Sequence, residues 1–219
     1  MKIAIVGAAG RMGRKLCELA EGTELEVVSK VDVADGFDTE WAKGVEGVID
    51  FSFHAAIPAL VTKAAEEGIP YVIGTTGITA EEQKSVDAAA EKIPVVQSGN
   101  YSLGVNLLLA LVEKAAATLG KEYDIEITEM HHRHKKDAPS GTAKSLGKLL
   151  EEGLGVEPEI TAHRIGEVPG IHTVTYTSEV DKLTLTHEAF GREGLAAGAV
   201  AAAILTEGLE GIHEFKELL

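Results

Sequence analysis

The residues from Ile3 to Val6 are all apolar, and the run ends abruptly at Gly7-Ala-Ala-Gly10-Arg-Met-Gly13. An unbroken apolar stretch bounded by glycine predicts a strand buried on both faces, the environment of a parallel sheet. A helix is predicted from there through Leu16 and Leu19 to about Glu21. Residues 25–31, 48–51, 70–73 and 93–97 repeat the apolar strand pattern. Helices are predicted between them, from Ala55 or Pro58 to about Glu67 and from Thr79 to about Lys92, where Thr79 and Glu82 have the spacing of a capping box. Residues 33–47 are polar, with Gly36, Gly44 and Gly47, and predict an abbreviated crossover rather than a full helix. Strands and helices alternating across short connections predict an α/β fold with a Rossmann-type, doubly wound parallel sheet.

The pattern changes near residue 102. Residues 103–119 form a long apolar stretch closed by Gly120, which predicts a helix. Residues 123–129 alternate, with Ile125 and Ile127 set against Glu126 and Thr128, as in a half-buried strand. Residues 171–178 and 183–188 alternate likewise and are rich in threonine. Ser140 predicts a cap for a helix over 141–152, and an Ala- and Gly-rich helix is predicted over 192–209. These elements predict a second, α+β domain with an antiparallel or mixed sheet. Helices would cover one face of that sheet, leaving a threonine-rich face as a candidate subunit interface.

Composition narrows the function classes. A length of 219 residues suits one large domain or two small ones. A net charge of −15 argues against nucleic acid and against anionic membrane surfaces as partners. The apolar run around Gly194 to Leu205 is too short and too rich in small residues to span a bilayer. No basic segment with a longer apolar core precedes the first strand, so no signal peptide is expected. The single cysteine, Cys17, fits a reducing cytoplasm. Scarce Asn and Gln beside abundant charge suit a thermostable protein.

Two stretches carry candidate chemistry. In the first, Gly7 permits a sharp turn, Gly10 a close backbone approach to a ligand, and Gly13 close helix packing; the helix start offers N–H groups to a pyrophosphate. Asp32, at the end of the next strand, is placed to take the ribose hydroxyls of a dinucleotide. Its carboxylate disfavours a 2′-phosphate, which leans the reading to NADH, while Lys30 or Arg11 leave NADPH open. Gly7, Asp32, Ser52, Gly74 to Thr76 and Ser98 to Tyr101 all fall at predicted strand ends, where such sheets bind ligands. His54, in that group, reads as a rim or capping residue.

The second stretch runs Glu129-Met-His-His-Arg-His-Lys-Lys-Asp-Ala-Pro-Ser-Gly-Thr-Ala143 and puts three histidines, one arginine and two lysines into positions 131–136 of an acidic chain. Zinc binding by His131, His132 and His134 is disfavoured, because histidines so close on a loop converge poorly. A solvated charge run leaves the adjacent Pro-Ser-Gly-Thr helix start without a purpose. A site that holds and protonates a small anion uses all of it: imidazoles donate protons near neutrality, and the N–H groups of Gly141 and Thr142 can hold a carboxylate.

Taken with Asp50-Phe-Ser52, Gly74-Thr-Thr-Gly77 and Asn100-Tyr-Ser-Leu-Gly-Val-Asn106, these motifs resemble those of the 4-hydroxy-tetrahydrodipicolinate reductases, also called dihydrodipicolinate reductases, over nearly the whole chain. The resemblance implies NADH- or NADPH-dependent reduction of a small cyclic dicarboxylate in diaminopimelate and lysine biosynthesis, without a metal. It implies a dinucleotide-binding domain made of residues 1–102 and 192–219, a substrate-binding domain of 103–191, and a cytoplasmic homotetramer joined through the substrate-domain sheets. His131 matches the family's proton donor and Lys135 its second acid; His132 matches a substrate contact and Gly141 with Thr142 the carboxylate cradle. Gly7, Ala8, Ala9, Gly10, Arg11, Met12, Asp32, Gly74, Thr75, Thr76, Ser98, Gly99, Asn100 and Tyr101 match cofactor positions, and Arg192 a basic residue near the nicotinamide. The stretch after Asp32 is shorter than in many relatives and lacks the arginine that often reads a 2′-phosphate.

Two other classes fit parts of the pattern. Another two-domain nicotinamide oxidoreductase acting on a small acid is one, although a semialdehyde dehydrogenase needs a nucleophilic cysteine and Cys17 is badly placed for that. A dinucleotide-sensing module without catalysis is the other, and it would need no proton donors.

Overall fold

The structure, a computed structural model, describes residues 1–32 and 41–219. The part of the expected crossover that falls on 33–40 lies outside the described residues. In chain order the elements are β1 (Lys2–Val6), α1 (Arg11–Ala20), β2 (Glu26–Val31), β3 (Gly47–Asp50), α2 (Ile57–Glu67), β4 (Tyr71–Ile73), α3 (Ala80–Ala90), β5 (Val95–Gln97), α4 (Leu103–Leu119), β6 (Asp124–His131), α5 (Gly141–Leu154), β7 (Glu159–Arg164), β8 (Gly170–Thr177), β9 (Lys182–Ala189), α6 (Glu193–Ile204) and β10 (Ile212–His213). They form two compact units, Met1–Ser102 with Arg192–Leu219, and Leu103–Gly191.

Among the described residues the first unit holds a six-stranded sheet in the order β10-β5-β4-β3-β1-β2, with every pairing parallel. The unbroken apolar runs have a direct cause. In β1, Ile3 and Ile5 pack with Leu16 of α1 and Ala196 and Ala199 of α6, while Ala4 and Val6 pack with Leu60 and Val61 of α2 and Val86 of α3. With both faces covered, alternation disappears from the sequence. Each fully buried Val, Leu or Ile contributes roughly 1.5–3 kcal/mol of transfer free energy. Strand order reverses between β1 and β3, which opens a ligand crevice at the carboxyl ends of the strands. Thr79 and Glu82 form the capping box at the start of α3.

The second unit holds a four-stranded mixed sheet, order β7-β6-β8-β9, with β6 and β7 parallel and the other pairs antiparallel. Ile127, Val174 and Tyr176 pack on Leu108 and Val112 of α4 and on Leu146 and Leu150 of α5. The Tyr176 hydroxyl donates to the Val112 carbonyl at 2.9 Å. On the opposite face Thr128, Thr161, Thr173 and Thr186 form one row across all four strands. The stretch Leu103–Glu122 is long and apolar enough to cross a membrane by length and composition, more so than the run near 194–205; its Leu108, Val112 and Ala116 side lies in this core.

Three elements depart from the sequence pattern. β6 runs on to His131, two residues past the predicted end, so the first histidine of the basic cluster sits on a strand. β7 was not predicted, because only Ile160 and Ala162 are apolar in an edge strand flanked by Gly155 and Gly166. α6 stops at Ile204 rather than 209, and the chain then turns through Gly208 at φ +79° to add the two-residue β10.

Candidate active site

In the first unit the glycine turn is built from inside. Gly7 has φ +79°, and a Cβ on it would lie 2.5 Å from the Phe51 carbonyl oxygen, so glycine is required there twice over. The N–H groups of Gly7 and Ala8 donate to the Val31 carbonyl, that of Gly10 to the Gly7 carbonyl, and that of Ala9 to both oxygens of Asp32 at 3.0–3.1 Å. The donors left for a ligand are therefore those opening α1, from Arg11 onward, where Gly10 caps with no side chain. Gly13 lies so close to the Gly7 carbonyl and Ala8 Cα that a Cβ would overlap both.

A cleft of about 410 Å³ opens at this point. Gly10, Arg11 and Met12 form one wall, Phe51 to His54 and Gly74 to Thr76 the others, with Arg192 at the rim. Beneath it Asp50, fully buried at the end of β3, ties two walls together. It accepts from Ser52 N (2.8 Å), Ser52 Oγ (2.7 Å), Thr75 Oγ1 (2.9 Å) and the Tyr71 hydroxyl (2.6 Å). Burial pushes the Asp50 carboxyl up, and these donors oppose that rise. His54 bonds Glu82, a member of the α3 capping box, at 2.8 Å.

Other residues singled out in the sequence lie elsewhere in this unit. Ser98 and Gly99 line a separate cleft of about 430 Å³ with His213, Glu214 and Glu217. Asn100 Oδ1 accepts from Ser102 N at 2.9 Å, turning the chain. The Tyr101 side chain belongs to the core, its hydroxyl between the Ile73 and Val96 carbonyls and its ring 5.2 Å from that of Phe215. Only its backbone remains for a ligand.

In the second unit the basic cluster divides by position. Ile125, Ile127, Glu129 and His131 share one face of β6, so the apolar core of this sheet gives way to a polar end. Glu129 is fully buried and takes a two-pronged grip from Arg164 of β7, Nη1 to Oε2 at 2.9 Å and Nη2 to Oε1 at 2.7 Å. Its Oε1 also accepts from Ser140 N at 3.0 Å, and its Oε2 meets His131 Nδ1 at 2.5 Å. Burial pushes the Glu129 carboxyl up, but Arg164, His131 and Ser140 more than offset it, and the group is held below the usual carboxylate range. Burial lowers the His131 pKa, and the Glu129 carboxylate only partly restores it.

His172 of β8 stands edge-on to His131 with ring centroids 5.1 Å apart, and its Nε2 lies 3.0 Å from Ser140 Oγ, the cap of α5. Burial lowers the His172 pKa to about 4, with the neighbouring His131 adding to the effect. A histidine depressed in the folded state contributes stability that is complete above about pH 6.5 and is lost as pH falls through about 4. The melting temperature should therefore drop between those two values, and a folded His172→Phe variant should show a shallower drop in the same scan. An unchanged slope would contradict the assignment.

Lys135 pairs with Asp137 at 2.9 Å. His132 is half-buried and its Nδ1 has no hydrogen-bond partner among the described residues. Arg133, His134 and Lys136 are exposed, His134 lying 3.6 Å from Glu167. Gly141 and Thr142 open α5, and a Cβ at Gly141 would meet open space. Sequence reasoning passed over Glu129, Arg164 and His172. Only Glu129 left a trace, as a charge at an inward position of an alternating strand.

The comparisons with known proteins agree over the full length. Residues 1–101 match the family model "Dihydrodipicolinate reductase, N-terminus", and residues 104–219 match "Dihydrodipicolinate reductase, C-terminus". A 4-hydroxy-tetrahydrodipicolinate reductase of Zymomonas mobilis is 40% identical over 246 residues, covering 100% of this chain and 97% of that protein. One from Caulobacter vibrioides is 40% identical over 250 residues with the same coverage. A dipicolinate-bound dihydrodipicolinate reductase from a Paenisporosarcina species superposes with a TM-score of 0.84 over 100% of this chain and 99% of its own, at 20% identity. A diaminopimelate dehydrogenase of Corynebacterium glutamicum shares the fold more loosely, with a TM-score of 0.62 at 13% identity over 99% of this chain and 93% of its own.

Proposed function

The chain belongs to the dihydrodipicolinate reductase family, and on that footing we propose that it reduces 4-hydroxy-tetrahydrodipicolinate to tetrahydrodipicolinate with NADH or NADPH, the hydroxyl leaving as water while the ring takes one hydride and one proton. The observation that carries the reading is the arrangement of the second unit: a buried imidazole with an ionised carboxylate on one nitrogen, close to the start of α5. That is an acid beside a carboxylate holder.

The residues of the first unit fit a dinucleotide. The turn at Gly7 and Gly13 leaves no room for a Cβ, α1 starts without a side-chain cap, and the adjoining cleft is walled by Gly10 to Met12 and Gly74 to Thr76. When bound, the nicotinamide supplies the hydride. Arg11 and Met12 would hold its phosphates through backbone N–H groups, and Asp32 would meet its ribose. In the second unit His131, once protonated to the imidazolium, gives its Nε2 proton to the substrate ring, and Lys135 serves as a further acid. His132, whose buried Nδ1 has no hydrogen-bond partner among the described residues, and the N–H groups of Gly141 and Thr142 grip the two carboxylates. Because the net charge is −15, attraction of a dianion depends on this local concentration of positive charge.

Assembly as a homotetramer through the threonine-bearing sheet faces belongs to the same proposal, as does a cytoplasmic setting. The row from Thr128 to Thr186, on the face away from α4 and α5, supports the first, and the lone cysteine the second.

Loss of NADH or NADPH absorbance on adding substrate freshly made by its synthase tests the reaction. Turnover with either cofactor is expected; cofactor binding with no substrate-dependent oxidation would assign a sensing module instead. Asp32→Ala should weaken NADH more than NADPH, read as the ratio of their dissociation constants. An unchanged ratio would remove Asp32 from cofactor recognition.

A further inference from the structure

We propose that Glu129, gripped by Arg164, is the positioning residue for the acid: it engages the Nδ1 proton of His131 and leaves Nε2 as the atom that exchanges a proton with substrate. The proposal rests on the reading of His131 as proton donor. A carboxylate with no exposure is retained only if its partners replace water. Here two donors meet each oxygen, His131 Nδ1 and Arg164 Nη1 on Oε2, Ser140 N and Arg164 Nη2 on Oε1. The guanidinium is anchored in turn, donating to the carbonyls of Asp137 at 2.5 Å and His163 at 2.6 Å. Its planar fork stops the carboxylate from rotating away from the imidazole.

An ionised carboxylate accepts and cannot donate, so the neutral His131 ring must carry its proton on Nδ1. Nε2 then has the free lone pair, and it gains and gives the proton. Gly170, the first residue of β8, complements this. A Cβ there would come within 3.0 Å of His131 Nε2, so glycine keeps that nitrogen uncovered. Oε1 of the same carboxylate holds the backbone of Ser140, the cap of α5. One side chain thus registers the acid against the helix start at Gly141 and Thr142. The charged and titratable groups around His131 are Glu129 on its own strand, Arg164 on β7, His172 on β8, and Lys135 in the loop that follows; His187 of β9 and Asp137 stand behind His172 and Lys135.

The test compares wild type with Glu129→Gln, Arg164→Lys and His131→Ala, each checked by thermal melting. It reads kcat and KM across pH, and the ring ¹⁵N shifts of His131 by NMR. Wild type should show the Nδ1–H tautomer. Glu129→Gln should lower kcat by about 10–100-fold, the effect of losing one charge-assisted hydrogen bond to the acid, with the smaller change in KM. It should also move the alkaline limb of kcat/KM to lower pH, because the carboxylate favours the imidazolium. Arg164→Lys, which keeps the charge, should retain more of the rate. A merely structural role would lower the melting temperature and leave both tautomer and pH limb in place.

An Nε2–H tautomer in wild type overturns the proposal, and that reading holds even if Glu129→Gln fails to fold. So does a folded Glu129→Gln with wild-type turnover and pH profile alongside an inactive His131→Ala. Full turnover in His131→Ala would instead overturn the reading of the acid beneath it, while the tautomer still decides whether Glu129 governs the ring.

Discussion

His131→Ala should lower kcat by about 10²–10⁴-fold, the range contributed by a positioned general acid, with KM changing much less. The proton is needed in the transition state, whereas the carboxylate contacts act in both ground and transition states. His131 sits at the end of β6 with its ring against buried groups, so alanine leaves the apolar core of this unit untouched. Changes at His132 and Thr142, assigned to carboxylate binding, should do the reverse and mainly raise KM. Steady-state kinetics on the two kinds of variant distinguish the roles. Undiminished turnover in His131→Ala would remove it from the mechanism.

Gly13→Ala should weaken NADH binding at least about tenfold, the effect of a misfit of roughly 1.4 kcal/mol passed to the ligand, and lower the melting temperature as well. The added methyl overlaps the Gly7 carbonyl and Ala8 Cα, both of them backbone. A flexible side chain would yield there, but a turn held by the bonds from Gly7 and Ala8 to the Val31 carbonyl cannot. Either the start of α1 tilts away from the turn or the turn opens, and both outcomes displace the N–H groups of Arg11 and Met12. Fluorescence titration with NADH reads the effect. Wild-type affinity in a folded Gly13→Ala protein would mean that the dinucleotide is held elsewhere.

Local chemistry made much of the fold legible. Ile3 to Val6 read as a doubly covered strand because α1 and α6 take one side of it and α2 and α3 the other. The capping box at Thr79 and Glu82 and the cap at Ser140 follow from the same short-range rules. β7 and β10 escaped because a sparse edge strand and a two-residue strand carry almost no periodic signal. The site divides in the same way. His131 and Lys135 stand out as a cluster in sequence, but Arg164 lies 35 residues from the carboxylate it grips, and His172 32 residues from Ser140. Only the register of β6 against β7 and β8 brings them together. Tyr101 shows what a motif position leaves unsaid: next to Ser98 and Asn100, it carries a side chain spent on joining β4 to β5.

The stoichiometry of a complete reaction tests the proposed activity most directly. Purified protein is mixed with NADH or NADPH and freshly generated 4-hydroxy-tetrahydrodipicolinate, cofactor oxidation is followed by absorbance, and the product is identified by mass spectrometry. One tetrahydrodipicolinate is expected for each reduced cofactor consumed. Cofactor that binds but is not consumed, or is consumed without that product, would contradict it.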